Sequence, residues 1–350
     1  MREFERLITR ERAGWEGKER LTFEDVLFLG ARRKELDEQL SGLKEVVEET
    51  NNMAHSFHIK REALRESLRS SVQIVCGSRS YKNTITRFVQ PVKKSNQIII
   101  ADLEQSATKV INQGFTFPEK FACVQIRDTT YLSGGEPALV STYEITEFVV
   151  HKLANMNHAR RKHKLCSVKE RHIFAIGGYD AVKRLTSVER FDIENNRWRV
   201  MAPMLHRRND HAVAVFNDKS IYVFCGYDGD SSVDTVERYD IDADCWYQVQ
   251  LVNASRQYWR PRWGIGAQQV SSHEILVFGD QGYTFFLTPG DENELKVVAL
   301  ATTMQSPSIR NIRWNQTLLN EKLYTFDDLG TLWSYSLKEK LWIKAEIEVN

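Results

Sequence analysis

No stretch of 18 consecutive apolar residues occurs in this 350-residue chain, so no helix able to span a bilayer is expected. A surplus of one charge is missing too. The chain has 48 Lys and Arg against 47 Asp and Glu, a formal net charge of +1. That is too little for a global field that would draw in nucleic acid or membrane. The opening MREFERLITRERAGWEGKER lacks the apolar core of an export signal. Cysteine is sparse: Cys76, Cys123, Cys166, Cys225 and Cys245 are scattered, odd in number and form no Cys-x-x-Cys pair. Reduced thiols in a cytoplasmic protein, with cytoskeletal association or the nucleus as variants, are therefore expected. Without an export signal, the sequons at Asn253 and Asn315 read as chance matches.

Catalytic motifs are also lacking. There is no phosphate loop, Gly-x-Ser-x-Gly or His-Glu-x-x-His. Gly264 and Gly266 lack the third glycine of a dinucleotide loop and read as small strand residues. Asp240, Asp242 and Asp244 mimic the start of a calcium loop, but Cys245 and Leu251 stand where the turn glycine and the bidentate Glu belong. His151, His158, His163, Cys166 and His172 cluster in 22 residues, yet His163 recurs as His211 in a repeat, which accounts for it without zinc. No metal or cofactor is assigned.

What is present divides in three. Residues 1–21 show no clear period and read as an extension, frayed or helical. Residues 22–70 form a helical segment rich in Glu, Lys, Arg and Leu. A heptad places Leu40, Val47, Ala54, Arg61 and Leu68 at a, and Leu36, Leu43, Thr50, Phe57 and Leu64 at d. Eight of these ten are apolar, which argues for a coiled coil and a homo-oligomer; one helix folded on its own domain is the alternative. Arg61, Thr50 and Gly42 weaken the seam.

From residue 71 onward the chain turns to short β-rich runs. SVERFDIENNRW (187–198) returns 48 residues later as TVERYDIDADCW (235–246). The match spreads outward: Arg160 and His163 meet Arg208 and His211, Gly178 meets Gly226, and Trp198 meets Trp246. A period of 40 to 50 residues with four strand-like runs per unit marks a β-propeller, because one blade cannot bury both faces alone.

The order Arg-x-x-His, strand, glycine pair, Glu-Arg-aromatic-Asp and Trp resembles the kelch repeat. Arg160, His163, Gly177-Gly178, Phe191-Asp192 and Trp198 carry it in one unit. Arg208, His211, Gly226, Tyr239-Asp240 and Trp246 carry it in the next. Weaker units are marked by Cys76-Gly77, by Gly134-Gly135 with Phe148, by Gly279, and by Asp327-Asp328 with Trp342. The resemblance implies an all-β, six-bladed kelch-type propeller over residues 71–350 with an atypical first blade, preceded by the α-helical coiled coil. No inner strand is evident before Gln73, and the tail AEIEVN is a candidate to supply it.

The resemblance also implies a partner-binding rim, built by the loops before each inner strand and after each glycine pair. Carried over by position, the rim holds Lys120, His163, His211, Gly264 and Arg313, with Arg161, Arg207, Arg260 and Arg262 nearby and Tyr179, Tyr227 and Tyr283 after the glycines. Arg and Tyr are the side chains most used as anchors. A basic, aromatic rim implies a protein or peptide partner that is acidic or phosphorylated. The expected function is an interaction scaffold or adaptor, with no nucleic acid or membrane as partner. Substrate recognition for a ubiquitin ligase through a separate subunit is an alternative, since residues 1–70 resemble neither a BTB nor an F-box segment. A propeller oxidase or hydrolase using the central shaft is a more distant one.

Overall fold

A computed structural model describes residues 87–103, 107–146, 149–254, 259, 264–279, 283–290, 293–302, 316–326, 331–344 and 348–349. The expected extension 1–21 and coiled coil 22–70 lie outside these residues, as do Cys76-Gly77, Phe148 and Asp327-Asp328. The described strands belong to one unit, Lys82–Asn350. All regular structure among the described residues is β-strand, and no helix there is long and apolar enough to cross a membrane.

The first sheet holds β1 (Arg87–Pro91), β2 (Gln97–Asp102) and β3 (Ala107–Asn112). Five antiparallel meanders of four strands follow. They are β4 (Ala122–Ile126), β5 (Thr129–Ser133), β6 (Thr142–Ile145) and β7 (Val150–Lys152); β8 (Lys164–Val168), β9 (His172–Ile176), β10 (Val188–Asp192) and β11 (Arg197–Met201); β12 (Ala212–Phe216), β13 (Ser220–Phe224), β14 (Val236–Asp240) and β15 (Cys245–Val252); β16 (Gly266–Gln269), β17 (Ile275–Gly279), β18 (Tyr283–Pro289) and β19 (Glu294–Thr302); and β20 (Gln316–Leu319), β21 (Lys322–Phe326), β22 (Leu332–Ser336) and β23 (Leu341–Lys344). The last strand, β24 (Glu348–Val349), pairs parallel with β3. The third and fourth meanders fuse into one eight-stranded sheet through a parallel pairing of Gln250–Val252 in β15 with Glu294–Lys296 in β19.

The core is a set of apolar clusters, each shared by neighbouring sheets. Ala122, Val124 and Tyr131 pack with Leu165, Ile173 and Trp198 across one junction. Val168, Phe174 and Val188 pack with Ile221, Val223 and Tyr239 across the next. Phe88 of β1 stacks on Phe326 of β21 at 5.1 Å between ring centroids, so the first and last sheets also meet. Second strands such as SIYVF are buried along their whole length, which explains their unbroken apolar runs.

The outer-strand tryptophans tie sheet to sheet. Trp198 pairs across strands with Phe191, and Trp246 with Tyr239, each at 5.0 Å between centroids. Such pairs contribute about 0.5–1.5 kcal/mol beyond area burial. Their indole N–H groups reach the preceding unit, Trp198 donating to Ala154 O at 3.1 Å and Trp246 to Ala202 O at 2.9 Å.

One expectation, the inner-strand role of the tail, needs correction. The described strands of the first sheet run from residue 87 to 112, Cys76-Gly77 lying outside the described residues; among these no strand lies inside β1, and five units carry a full four-stranded meander. The tail joins the opposite, outer edge of this sheet, beside β3.

Gly178 illustrates the close fit within a unit, between the loop after β9 and the connection entering β8. Its φ is +107°, and a Cβ there would stand 2.8 Å from Arg161 O and from His163 Cβ. Gly178→Ala is expected to cost at least about 1–3 kcal/mol from backbone strain alone. Exposed Gly114, with nothing within 4 Å of such a Cβ, should accept Ala within about 0.5 kcal/mol. Urea unfolding of the two variants checks the contrast.

Candidate functional site

One face of the propeller gathers the connections that enter β4, β8 and β12 and the loops that leave β5, β9 and β13. They are pinned together by isolated bridges: Glu119 with Glu136, Arg161 with Tyr179, and Asn209 with Tyr227. These bridges correct the expected equivalences. Phe121, His163, His211 and Ile265 are the residues that directly precede inner strands, and Lys120 and Gly264 match Lys162 and Asp210 instead. For Lys120 the slip arises because the β4–β5 hairpin is one residue shorter than β8–β9. The Lys120 row forms a backbone chain around the shaft: Lys162 N–H donates to Lys120 O, Asp210 N–H to Lys162 O, and Gly264 N–H to Asp210 O, at 2.9–3.0 Å.

His163 and His211 are 3% and 0% exposed, so neither offers a surface to a partner. Each imidazole lies against a glycine of the preceding unit, His163 over Gly134 and His211 over Gly177. His163 Nε2 sits 2.8 Å from Ser133 Oγ. Burial, with Arg160 and Arg208 adding their charges, holds both well below the ordinary histidine pKa.

Arg160 and Arg208 are fully buried in the same layer. Arg160 Nη1 donates to Gly177 O and Ser187 O, and its Nη2 to Ser187 Oγ and, at 2.7 Å, to Glu189 Oε1. Arg208 repeats this with Cys225 O, Thr235 O, Thr235 Oγ1 and Glu237. Glu189 also accepts the N–H groups of Asn157 and His158. Burial alone would raise its pKa, but Arg160 and the Asn157 donors hold it below the usual carboxylate range. The buried glutamates were missed by sequence reasoning, although Arg and Glu recur 29 residues apart in both units.

The remaining candidates form the exposed layer. Glu136 bridges Lys120 and Arg161, and the Lys120 hydrogen bond and Arg161 charge lower its pKa. Arg161 lies 4.8 Å over the Tyr179 ring, and Arg207 pairs with Asp230 at 2.8 Å. Tyr179 and Tyr227 close their own turns by donating to Ala181 O and Gly229 O. Between the two rings lies Arg184, which sequence reasoning also missed, at 4.5 and 5.1 Å from their centroids. Beside this stack an open cleft of about 670 Å³ is lined by Phe117, Pro118, Pro137 and Ala138, with Lys94 and Arg161 among its charges. Tyr283 opens β18 and is not in a turn as Tyr179 and Tyr227 are. Arg260, Arg262 and Arg313 lie outside the described residues.

The shaft is narrower, about 290 Å³, and lined by inner-strand residues such as Gln125, Lys164, Cys166, Gln268 and Thr317. Its lining among the described residues contains no carboxylate or histidine, and burial pushes the Cys166 thiol far up. Nor do the described residues contain a group of three or more His, Cys, Asp or Glu side chains placed to hold a metal.

Comparison with known proteins agrees with this architecture. The model of the kelch motif matches residues 160–205 and 207–250. The chain is 36% identical to human Kelch-like protein 35 over 95 residues, 26% of this chain and 15% of that protein. The mouse protein of the same name gives 36% over 95 residues, 26% and 16% of the two chains. Human Kelch-like protein 6 gives 28% over 86 residues, 24% of this chain and 14% of the relative. The matched stretch thus spans about one-seventh of the curated relatives. Residues 160–250 thus carry two kelch repeats within a β-propeller.

The neutral histidines set a pH dependence. In the unfolded chain they titrate near 6.5, so below that pH it binds protons that the fold excludes. Stability should be insensitive to them above about pH 6.5 and fall beneath it, by up to about 1.4 kcal/mol per pH unit for each histidine. Urea midpoints at successive pH values for wild type and His163→Gln/His211→Gln test this. An equally steep fall in the double variant would assign the effect elsewhere.

Proposed function

We propose that the propeller is a non-enzymatic module that holds a protein or peptide partner on the face carrying Tyr179, Arg184 and Tyr227. The supporting observation is the contrast between the two openings. The open cleft on this face has the volume of a ligand site, a mixed apolar and charged lining, and aromatic and guanidinium groups beside it. The shaft lining among the described residues offers no carboxylate, histidine or aromatic ring. We further infer that β1–β3 with β24 counts as the sixth blade of the domain 71–350, and that residues 22–70 join copies of the chain as a coiled coil. Two or more such faces on one stalk would bind multivalently and raise effective concentration without new contacts.

Paired charges temper the expected preference for acidic partners. Lys94 meets Glu119 at 3.2 Å, Lys162 meets Asp210 at 2.8 Å, and Lys120, Arg161 and Arg207 also have carboxylate partners. These cations offer little uncompensated charge to a ligand.

Two measurements test this reading. Light scattering should show a dimer or larger species for the full chain and a monomer for residues 82–350; equal monomers would remove the coiled coil. In cross-linking mass spectrometry of the chain with a captured partner, links should concentrate on Lys94, Lys120, Lys162 and Lys183. Links confined to Lys169, Lys219, Lys338 and Lys340, in the hairpins at the other ends of the strands, would overturn the binding face.

A further inference from the structure

We infer that Arg184 is the anion-receiving group of this face, taking a carboxylate or phosphate oxygen from a partner peptide. This inference rests on the binding face proposed above and names its chemistry. The guanidinium is enclosed on both sides, 4.5 Å from the Tyr179 centroid and 5.1 Å from that of Tyr227. Arg161 packs over Tyr179 at 4.8 Å, so rings and guanidiniums stack as Arg161, Tyr179, Arg184 and Tyr227. Three loops contribute, and each contact restrains the next.

Charge separates Arg184 from its neighbours. Arg161 and Arg207 each have a carboxylate partner, Glu136 and Asp230. Among the described residues Arg184 has none, and its Nε is buried without a hydrogen-bond acceptor. A cation–π contact satisfies the face of a guanidinium, not its in-plane donors. Those donors form a fork that matches two oxygens of a carboxylate or phosphate. The stack removes rotamer freedom before a ligand arrives, which lowers the entropy cost of binding.

The neighbouring backbone keeps the approach open. Gly229, at φ +115°, lies where an added Cβ would stand 3.4 Å from Arg184 Nη1 and Cδ. A larger side chain on that position would extend over the guanidinium. Val182, 87% exposed two residues before Arg184, provides an apolar contact beside the charge. The occupant that fits is an oxyanion side chain flanked by apolar residues, from a peptide segment of a protein partner.

The test uses the full chain and three fluorescein-labelled peptides of one Gly-Ser-Xaa-Val repeat, in which Xaa is Glu, phosphoserine or Gln. Anisotropy should show saturable, salt-sensitive binding of the Glu peptide, the phosphoserine peptide or both, and none of the Gln peptide. Binding to Glu alone assigns a carboxylate ligand, binding to phosphoserine alone a phosphate, and binding to both the shared oxyanion chemistry. Arg184→Lys keeps the charge but loses the fork and should weaken binding about tenfold or more. Tyr227→Leu leaves Arg184 in place and should weaken it less, through lost stacking. Arg127→Lys, which alters a residue paired with Glu170 in the β4–β5 hairpin, should bind as wild type does. Binding of neither anionic peptide, or equal binding by Arg184→Lys, overturns the inference. A captured partner cross-linked to this face and held equally by Arg184→Lys would sink Arg184 alone and leave the face standing.

Discussion

The buried Arg–Glu pair is the constraint on which the candidate face depends. Arg160 sits in the connection entering β8, yet its guanidinium is fully buried and tied to Gly177 O, Ser187 O, Ser187 Oγ and Glu189. Those acceptors belong to the two ends of the β9–β10 loop and to β10 itself. Glu189 returns to the same connection through the Asn157 and His158 amides. One side chain thus fixes a connection, a loop and a strand to each other. Burying two charges costs several kcal/mol per ion, so the pair is not evidence of net stability. Its effect is positional: two carbonyl oxygens in a dry layer need donors, and an apolar residue in place of Arg160 would strand them.

The other meanders meet the same need differently. By strand register, the position of Glu189 and Glu237 on the third strand is held by Tyr143 and by Phe285. Tyr143 packs on Phe115 at 4.5 Å, and Phe285 on Trp259 at 4.9 Å. The counterpart of Arg160 beside Tyr143 is Pro118, which cannot donate at all. Charged pair and aromatic packing therefore alternate at one site of a single scaffold, as expected if the two solutions are close in free energy. The kelch motif matches the two units that keep the ion pair, because there Arg, His, Glu and Trp all recur at the same spacing.

The difference between the two solutions decides how much was legible in the sequence. Strand, glycine turn and Trp were readable in residues 155–250, where local chemistry dictates each role. The burial of Glu189 was not, because Val-Glu-Arg-Phe reads as an alternating strand with Glu facing water. A strand clamped between neighbouring sheets buries both faces, and alternation then loses its meaning. His163 and His211 were placed on the rim because they border it in sequence, but their rings turn inward onto glycines. The first sheet was illegible for another reason. It has no glycine pair after β1, whose turn lies on the face of the other units' glycine loops, and its outermost strand comes from residues 348–349, so neither local turn chemistry nor spacing marks it.

Function follows from what this scaffold leaves to vary. The bridge partners Glu136, Tyr179 and Tyr227 occupy one equivalent position in three successive units, and Glu119, Arg161 and Asn209 occupy the position opposite. The backbone geometry is shared, so only side-chain chemistry differs around the face. At the first step Glu136 neutralises Lys120 and Arg161. At the second, Tyr179 replaces the carboxylate, and Arg161 finds a ring on one side and an acid on the other. At the third, Tyr227 and Asn209 bring no acid, and Arg184 lies between two rings with its charge uncompensated by any described carboxylate. Arg184 thus differs from Lys120 and Arg161 in having no ion-pair partner among the described carboxylates. A partner would be distinguished less by its total acidity than by whether one oxyanion can reach the end of that stack while its apolar neighbours fill the cleft beside it.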